Sequence, residues 1–204
     1  PPLQQEAISA ILNKVGQFIT SPMIRNIISN TKSTVKLDDA MNEGKIILAN
    51  LSQGRLGEDN AALLGAMLIT KMQISAMHRV EIEESKRRDF YLYVDEFQNF
   101  ATPSFIQMLS ESRKYKVFLT MAEQSTSQQK DRNIVNVILA NVGSVISFRS
   151  ANPDDEKLIL PQFSPYIERG EIANLPLYKF YMKISAINPE EPFSAITIPV
   201  NVAK

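Results

Sequence analysis

Three short apolar runs, FYLYVD (90–95), VFLTMA (117–122) and SVISFR (144–149), are separated by stretches whose apolar residues recur at helical spacing. No other feature constrains this chain as strongly. Strands that alternate with helices build βαβ units, which give a mostly parallel sheet flanked by helices. The expected fold class is therefore α/β. In such sheets ligands bind beyond the C-terminal ends of the strands. The residues that follow each run thus carry the functional interest.

The remainder of the chain fits the same scheme. A fourth apolar run, KIILANL (45–51), follows Gly44 and suits a buried strand. SQGRLG after it reads as a loop, with Asp59 or Asn60 capping a helix that runs to about Arg79. That helix is apolar nearly all round (Leu63, Leu64, Met67, Leu68, Ile69, Met72, Ile74, Met77), which predicts that it is largely buried. Upstream, Ile8, Ile11, Leu12, Val15, Phe18 and Ile19 mark one helix, and Ser21-Pro22 reads as the cap and first residue of another. EIEESKRRD (81–89) reads as an exposed loop, and helices are expected over about 102–115 and 131–140. Asn152-Pro153-Asp154-Asp155 combines a cap, a proline at the first helical position and acidic first-turn residues. Two alternating segments, 177–185 and 193–200, surround NPEEP (188–192) and predict a terminal β-hairpin. The expected domains are a helical segment over 1–43 and an α/β portion over 44–204.

Composition removes several chemistries. The 204 residues contain no Cys and a single His, His78. Disulfides, thiol catalysis, Cys-ligated zinc and multi-His metal sites are excluded. Twenty-two basic residues balance twenty-two acidic ones, so bulk charge does not hold nucleic acid here. The longest uncharged apolar stretch, AALLGAMLIT (61–70), is too short to span a bilayer. The start at Pro1-Pro2, with no signal-peptide pattern, suggests an excised or processed chain.

Each strand end admits two readings. Asp95-Glu96 closes an apolar strand and resembles the Walker B motif of P-loop NTPases. There the Asp holds the shell of a Mg²⁺ and the Glu orients or deprotonates a water. The alternative is an acidic pair that opens a loop and caps the next helix. Gln124 suits hydrogen bonding to a γ-phosphate and a water, or is a polar loop residue. Arg149 offers a bidentate fork to phosphate, or neutralises Asp154 or Asp155. Arg113, in SESRKYK, complements a helix C-terminus, or reaches a phosphate held by a neighbouring subunit. His78 and the Met-rich helix read as structural. Lys86-Arg87-Arg88 reads as a solvated loop, with DNA contact as the alternative.

Together these features form an ordered pattern. FYLYVDEFQNFATPSFIQMLSESRKYKVFLTMAEQSTSQ (90–128) resembles the ATPase domain of conjugative coupling proteins of type IV secretion systems, the TraD/TraG-like members of the HerA–FtsK superfamily of P-loop NTPases. The strand ending Asp95-Glu96, the Phe97-Gln98-Asn99-Phe100 continuation, the Ser-Arg-Lys helix end and the strand before Gln124 carry it. Residues 46–73 and 141–158 also look like this family. The resemblance implies a RecA-like ATPase that uses ATP and Mg²⁺. It implies a homo-oligomeric ring, usually a hexamer, that moves DNA, single- or double-stranded, or a DNA–protein conjugate. By the resemblance Asp95 is the Mg²⁺-side carboxylate, Glu96 the catalytic base, Gln124 the γ-phosphate sensor and Arg113 the finger acting in trans. Arg149 is the second candidate for the arginine at the subunit boundary. The N-terminal helices belong to an all-helical insertion that faces DNA. Secretion-channel or relaxosome proteins are implied partners. A bacterial cytoplasmic domain is implied, anchored at the inner membrane in the full-length protein.

One departure is large. The phosphate loop G-x-x-x-x-G-K-[ST] is missing from the sequence, and its one Gly-Lys, Gly44-Lys45, leads into Ile46. The chain is therefore expected to be the C-terminal portion of a longer ATPase, inactive alone, with an exposed sheet edge that favours association. Two other readings compete. One is a non-enzymatic docking module of a secretion or pilus apparatus. The other is a Mg²⁺-dependent nuclease or phosphatase using Asp95 and Glu96, for which further strand-end carboxylates are missing.

Overall fold

A computed structural model describes residues 8, 9, 12, 15, 16, 19–126, 132–150, 152–185 and 190–199. The chain divides into two compact units, Pro1–Phe90 and Tyr91–Lys204.

The first unit is helical. From residue 22 onward its α-helices are α1 (Pro22–Ile28), α2 (Leu37–Glu43), α3 (Gln53–Leu56) and α4 (Glu58–His78). Pro22 opens α1 after Ser21 as expected, although the Ser21 side chain makes no capping bond. Gly44 ends α2 in the left-handed region, at φ 72°, where glycine is the easiest residue to place. α4 packs on α2 and α3, and Leu37, Met41, Ala61, Ile69, Met72 and Ala76 are buried. Arg79 is only 1% exposed. Its Nε donates to Asn42 Oδ1 at 3.0 Å, Nη1 to the Arg88 carbonyl at 2.9 Å and Nη2 to the Met41 carbonyl at 2.8 Å. One buried guanidinium thus satisfies a carbonyl that the end of α2 leaves open.

The basic triplet is locally committed as well. Lys86 pairs with Glu83 at 2.9 Å, Arg87 Nε donates to the Ile82 carbonyl at 2.8 Å and Arg88 Nη1 to the Glu43 carbonyl at 3.2 Å. His78 Nδ1 lies 3.3 Å from Asp38 Oδ2.

Three expectations for this unit are corrected. Residues 45–51 form no strand, and Ile46 and Leu48 are 89% and 92% exposed. A strand has no hydrogen bonds of its own, and none of the described residues offers this segment a ladder. α4 is buried on one side only: Leu63, Met67, Ile74 and Met77 are exposed, because α2 and α3 cover just one face. The expected loop contains α3, and α4 starts at Glu58 after Gly57 instead of at Asp59 or Asn60. Ile8, Leu12, Val15 and Ile19 are helical and exposed, whereas Ile11 and Phe18 lie outside the described residues.

The second unit holds the expected strand–helix alternation. It comprises β1 (Phe90–Val94, all but its first residue), α5 (Pro103–Glu111), β2 (Val117–Met121), α6 (Arg132–Asn141), β3 (Ser144–Phe148), α7 (Pro153–Ile159), β4 (Lys179–Ile184) and β5 (Phe193–Ile196). β1 and β2 form a two-stranded parallel sheet. Thr102 caps α5 by accepting from Phe105 N at 3.3 Å, with Pro103 at the first position. α5 packs on α6. Val94, Phe97, Phe105, Met108, Val117 and Val135 are buried, and the Phe97 and Phe105 rings stack 6.1 Å apart.

The expectation of one mostly parallel sheet is corrected here. β3, β4 and β5 form a separate antiparallel sheet. Ser144 faces Ile184 and Phe148 faces Phe180, while Lys179 faces Ile196 and Met182 faces Phe193. The β4–β5 hairpin is as expected, although Asn188-Pro189 of its turn lie outside the described residues. The free edge of β4 pairs with β3 and so takes β3 out of the parallel sheet. Phe163, Ile167 and Ile172 form a buried cluster against which Val145, Ile159, Leu160 and Tyr181 pack. Among the described residues no helix is long and apolar enough to cross a membrane.

Candidate functional site

Because β1 and β2 are neighbours, the loops that leave their C-terminal ends meet. Ala122 N donates to the Val94 carbonyl at 2.9 Å, and Phe97 N donates to the Ala122 carbonyl at 3.1 Å. These two bonds fix the tip of the sheet. The burial of Val94 at the end of β1 and of Phe97 just after it anchors the turn between them.

Asp95 is exposed, and its Oδ1 accepts from Glu96 N at 3.1 Å. Glu96 is half-buried and has left-handed backbone angles, φ 50° and ψ 46°. Both of its carboxylate oxygens are engaged. Oε1 accepts from Gln124 Nε2 at 2.5 Å, and Oε2 accepts from Gln98 Nε2 at 2.5 Å. The structure therefore brings together Asp95, Glu96 and Gln124, three of the sequence-predicted residues. Gln98 has no role assigned from the sequence, although it lies two residues beyond the strand-end glutamate. That spacing on a tight turn is the signal that could have found it.

Chemically, this is a carboxylate held between two amides that only donate to it. If the Gln124 amide turns away, Oε1 becomes available to accept a proton, and the amide becomes available to a new acceptor. Asp95 offers one solvent-facing carboxylate. No group of three or more metal-ligating side chains occurs among the described residues. That donor set suits Mg²⁺, which keeps several waters and takes one or two carboxylates plus phosphate oxygens.

The two predicted arginines are not among this cluster's bonding partners. Arg113 is exposed in the one-turn helix Ser112–Tyr115 that continues α5, a position that complements the helix dipole. Arg149 is exposed just after β3. Neither hydrogen-bonds to or ion-pairs with Asp95, Glu96 or Gln124 among the described residues. The carboxylates that Arg149 was expected to neutralise are engaged by other groups. Asp154 pairs with Lys157 at 3.0 Å, and Asp155, 3% exposed, accepts from the hydroxyls of Ser125 and Thr126. Asn152 caps α7 as expected, its Oδ1 accepting from Asp154 N at 3.0 Å. A cleft of about 540 Å³, lined by Glu156, Lys157, Leu160 and Arg169 among others, includes none of the strand-tip residues.

Residues 89–159 match a protein family described as the TraM recognition site of TraD and TraG. The matched span contains β1 to β3, α7 and all five predicted site residues. Among solved structures, the chain is similar to the bacterial conjugative coupling protein TrwBdeltaN70, at 17% identity and a TM-score of 0.57, over 68% of this chain and 38% of that one. It is also similar to the genome packaging NTPase B204 from Sulfolobus turreted icosahedral virus 2 in complex with ATP-gammaS, at 13% identity and a TM-score of 0.52, over 83% of this chain and 74% of that one. The same NTPase in complex with sulfate matches at 14% identity and a TM-score of 0.51, over 82% and 72%. At these identities the likeness is one of fold. The chain spans 38% of the length of the coupling protein. Among curated proteins no sequence relative matches.

Proposed function

We propose that this chain, whose residues 89–159 match the family described as the TraM recognition site of TraD and TraG, is a portion of a ring-forming ATPase of the conjugative coupling kind. That motor couples hydrolysis to translocation of DNA or a DNA–protein conjugate. The observation that carries this reading is the contact between the Glu96 carboxylate and the Gln124 amide at the tips of two adjacent parallel strands.

In this reading Glu96 is the general base. It accepts the proton of the attacking water once Gln124 has left Oε1, and Gln98 keeps the carboxylate aimed meanwhile. Gln124 exchanges its bond to Glu96 for one to the γ-phosphate, and so reports whether that phosphate is present. Asp95 would hold Mg²⁺ through water, and the ion would supply neutralisation of phosphate charge. Arg113 acts on nucleotide bound by a neighbouring copy, with Arg149 the alternative. The exposure of both, with no bond from either to the Glu96 cluster among the described residues, supports action in trans. The phosphate loop comes from outside these residues and completes a RecA-like core. Residues 1–43 belong to an all-helical insertion, and residues 44–204 to the ATPase domain.

Two measurements test this. Calorimetry of ATP with the 204-residue chain should show no binding, or binding weaker than about millimolar (under about 4 kcal/mol). Tight binding would overturn the partition of the nucleotide site. In a longer chain that carries the phosphate loop, Glu96→Gln should abolish hydrolysis while leaving nucleotide binding and ring assembly intact.

A second reading is favoured by the family description itself, which names TraM recognition. On that reading residues 89–159 dock a relaxosome protein of the TraM kind. Such a protein should then bind this chain without nucleotide, and Glu96→Gln should not weaken it. The two functions are compatible on one domain.

A further inference from the structure

We propose that Asp155 is a positioning residue for the hydrolytic site. It ties the loop after β2, and with it Gln124, to the first turn of α7. The inference rests on reading Glu96 and Gln124 as the hydrolytic pair.

Asp155 is 3% exposed. A carboxylate so buried must be satisfied by hydrogen bonds. Thr126 Oγ1 donates to its Oδ1 at 2.5 Å and Ser125 Oγ to its Oδ2 at 2.8 Å, while the single hydroxyl of Ser150 is shared between the Asn152 carbonyl at 3.2 Å and the same Oδ2 at 3.4 Å. Ser125 and Thr126 directly follow Gln124 in the chain. The loop therefore has two anchors. Its backbone is held at Ala122 by Val94 and Phe97, and its side chains are held at 125 and 126 by Asp155. Gln124 lies between those anchors, and its amide lands on Glu96.

Hydrogen bonds from Gln124 to Glu96 and from Ser125 and Thr126 to Asp155 are thus joined through the short stretch of backbone 124–126. Ser150, next to Arg149 at the end of β3, joins at the Asp155 end. When Gln124 leaves Glu96 for another acceptor, the strain falls on the Ser125 and Thr126 bonds, and α7 with the end of β3 feels the change. Asp suits this position because both of its oxygens only accept. An Asn would present an NH₂ to one hydroxyl and force it to reverse. A residue that merely stabilises the unit would lower its melting temperature without selecting this loop.

Hydroxyl-proton exchange by NMR on the 204-residue chain reads the anchor directly, because Ser125 and Thr126 hold Asp155 through their hydroxyls. In Asp155→Asn, the Ser125 and Thr126 hydroxyl protons should exchange about tenfold faster or more, the scale of one charge-assisted hydrogen bond. The Val94 and Val117 amides should keep their protection. Unchanged exchange at Ser125 and Thr126 in a folded variant would overturn the proposal. Should Asp155→Asn fail to fold, Thr126→Val removes one donor and carries the same two outcomes at the Ser125 hydroxyl.

Hydrolysis in a longer chain carrying the phosphate loop gives the second arm. Asp155→Asn should lower kcat about tenfold or more and leave the KM for ATP unchanged. In a Gln124→Ala background it should cause no further loss, because the two residues act as a unit. Additive losses would overturn the proposal. Full activity of Gln124→Ala would sink the hydrolytic reading of Gln124, and with it this role for Asp155, even where exchange shows that Asp155 holds the loop.

Discussion

FYLYV and IILANL are close to interchangeable as patterns, yet they end in different structures. The first is β1, whose last residue, Val94, is 8% exposed. The second is irregular, with Ile46 and Leu48 facing solvent. β1 has β2 beside it, and the buried rings of Phe97 and Phe105 lie just beyond its end. No neighbouring strand is present for 45–51 among the described residues. An apolar run specifies only a chain segment that can be a strand. The ladder partner makes it one, since a strand has no internal hydrogen bonds.

Three variants probe the two units, from the largest expected effect to the smallest. Phe105→Ala removes a fully buried ring that stacks on Phe97, and should cost the second unit about 3–5 kcal/mol. Urea unfolding followed by tyrosine fluorescence measures it, the chain having no Trp. A loss under about 1 kcal/mol would mean that this core does not hold the β1 tip.

The middle effect lies in the helical unit. The Ser75 hydroxyl, followed by His78, holds the Asp38 carboxyl below its usual value. A lowered carboxyl pKa contributes stability above the unfolded value of about 4, and that contribution fades as pH falls through the folded one. Ser75→Ala should move the Asp38 titration upward, as read by carboxyl NMR, and flatten the acid dependence of this unit below about pH 4. An unmoved titration would remove Ser75 as the cause.

The smallest effect is expected where the pattern is strongest. Ile46→Thr with Leu48→Thr should leave stability within about 0.5 kcal/mol of the parent. A loss of about 2 kcal/mol or more, the scale of burying such side chains, would show that the segment is paired after all and would break the contrast.

The sequence-to-structure outcomes divide along the same physical line. β1, β2, β3, the α7 cap at Asn152 and the β4–β5 hairpin were legible because each rests on local signals: an apolar run, a capping pair, an alternation around a turn. The meeting of Glu96 with Gln124 was legible once two neighbouring parallel strands were expected. The β3–β4 pairing was not, because it joins distant segments and competes with extension of the parallel sheet. Nor was the role of Asp155, whose hydroxyl partners lie 29 and 30 residues away. The half-exposed α4 and the unpaired 45–51 share one cause. Their sequence records that they need a covering surface and says nothing of whether one is supplied.

Glu96 carries a further consequence in its backbone. A non-glycine residue in the left-handed region gives up about 1 kcal/mol that glycine would not. At this corner the fold alone would choose glycine, and the carboxylate is kept against that choice. A selection for thermal tolerance alone would therefore drift toward erasing this side chain, whereas a selection for work would hold it in place. Position 96 is where those two pressures on the molecule pull in opposite directions.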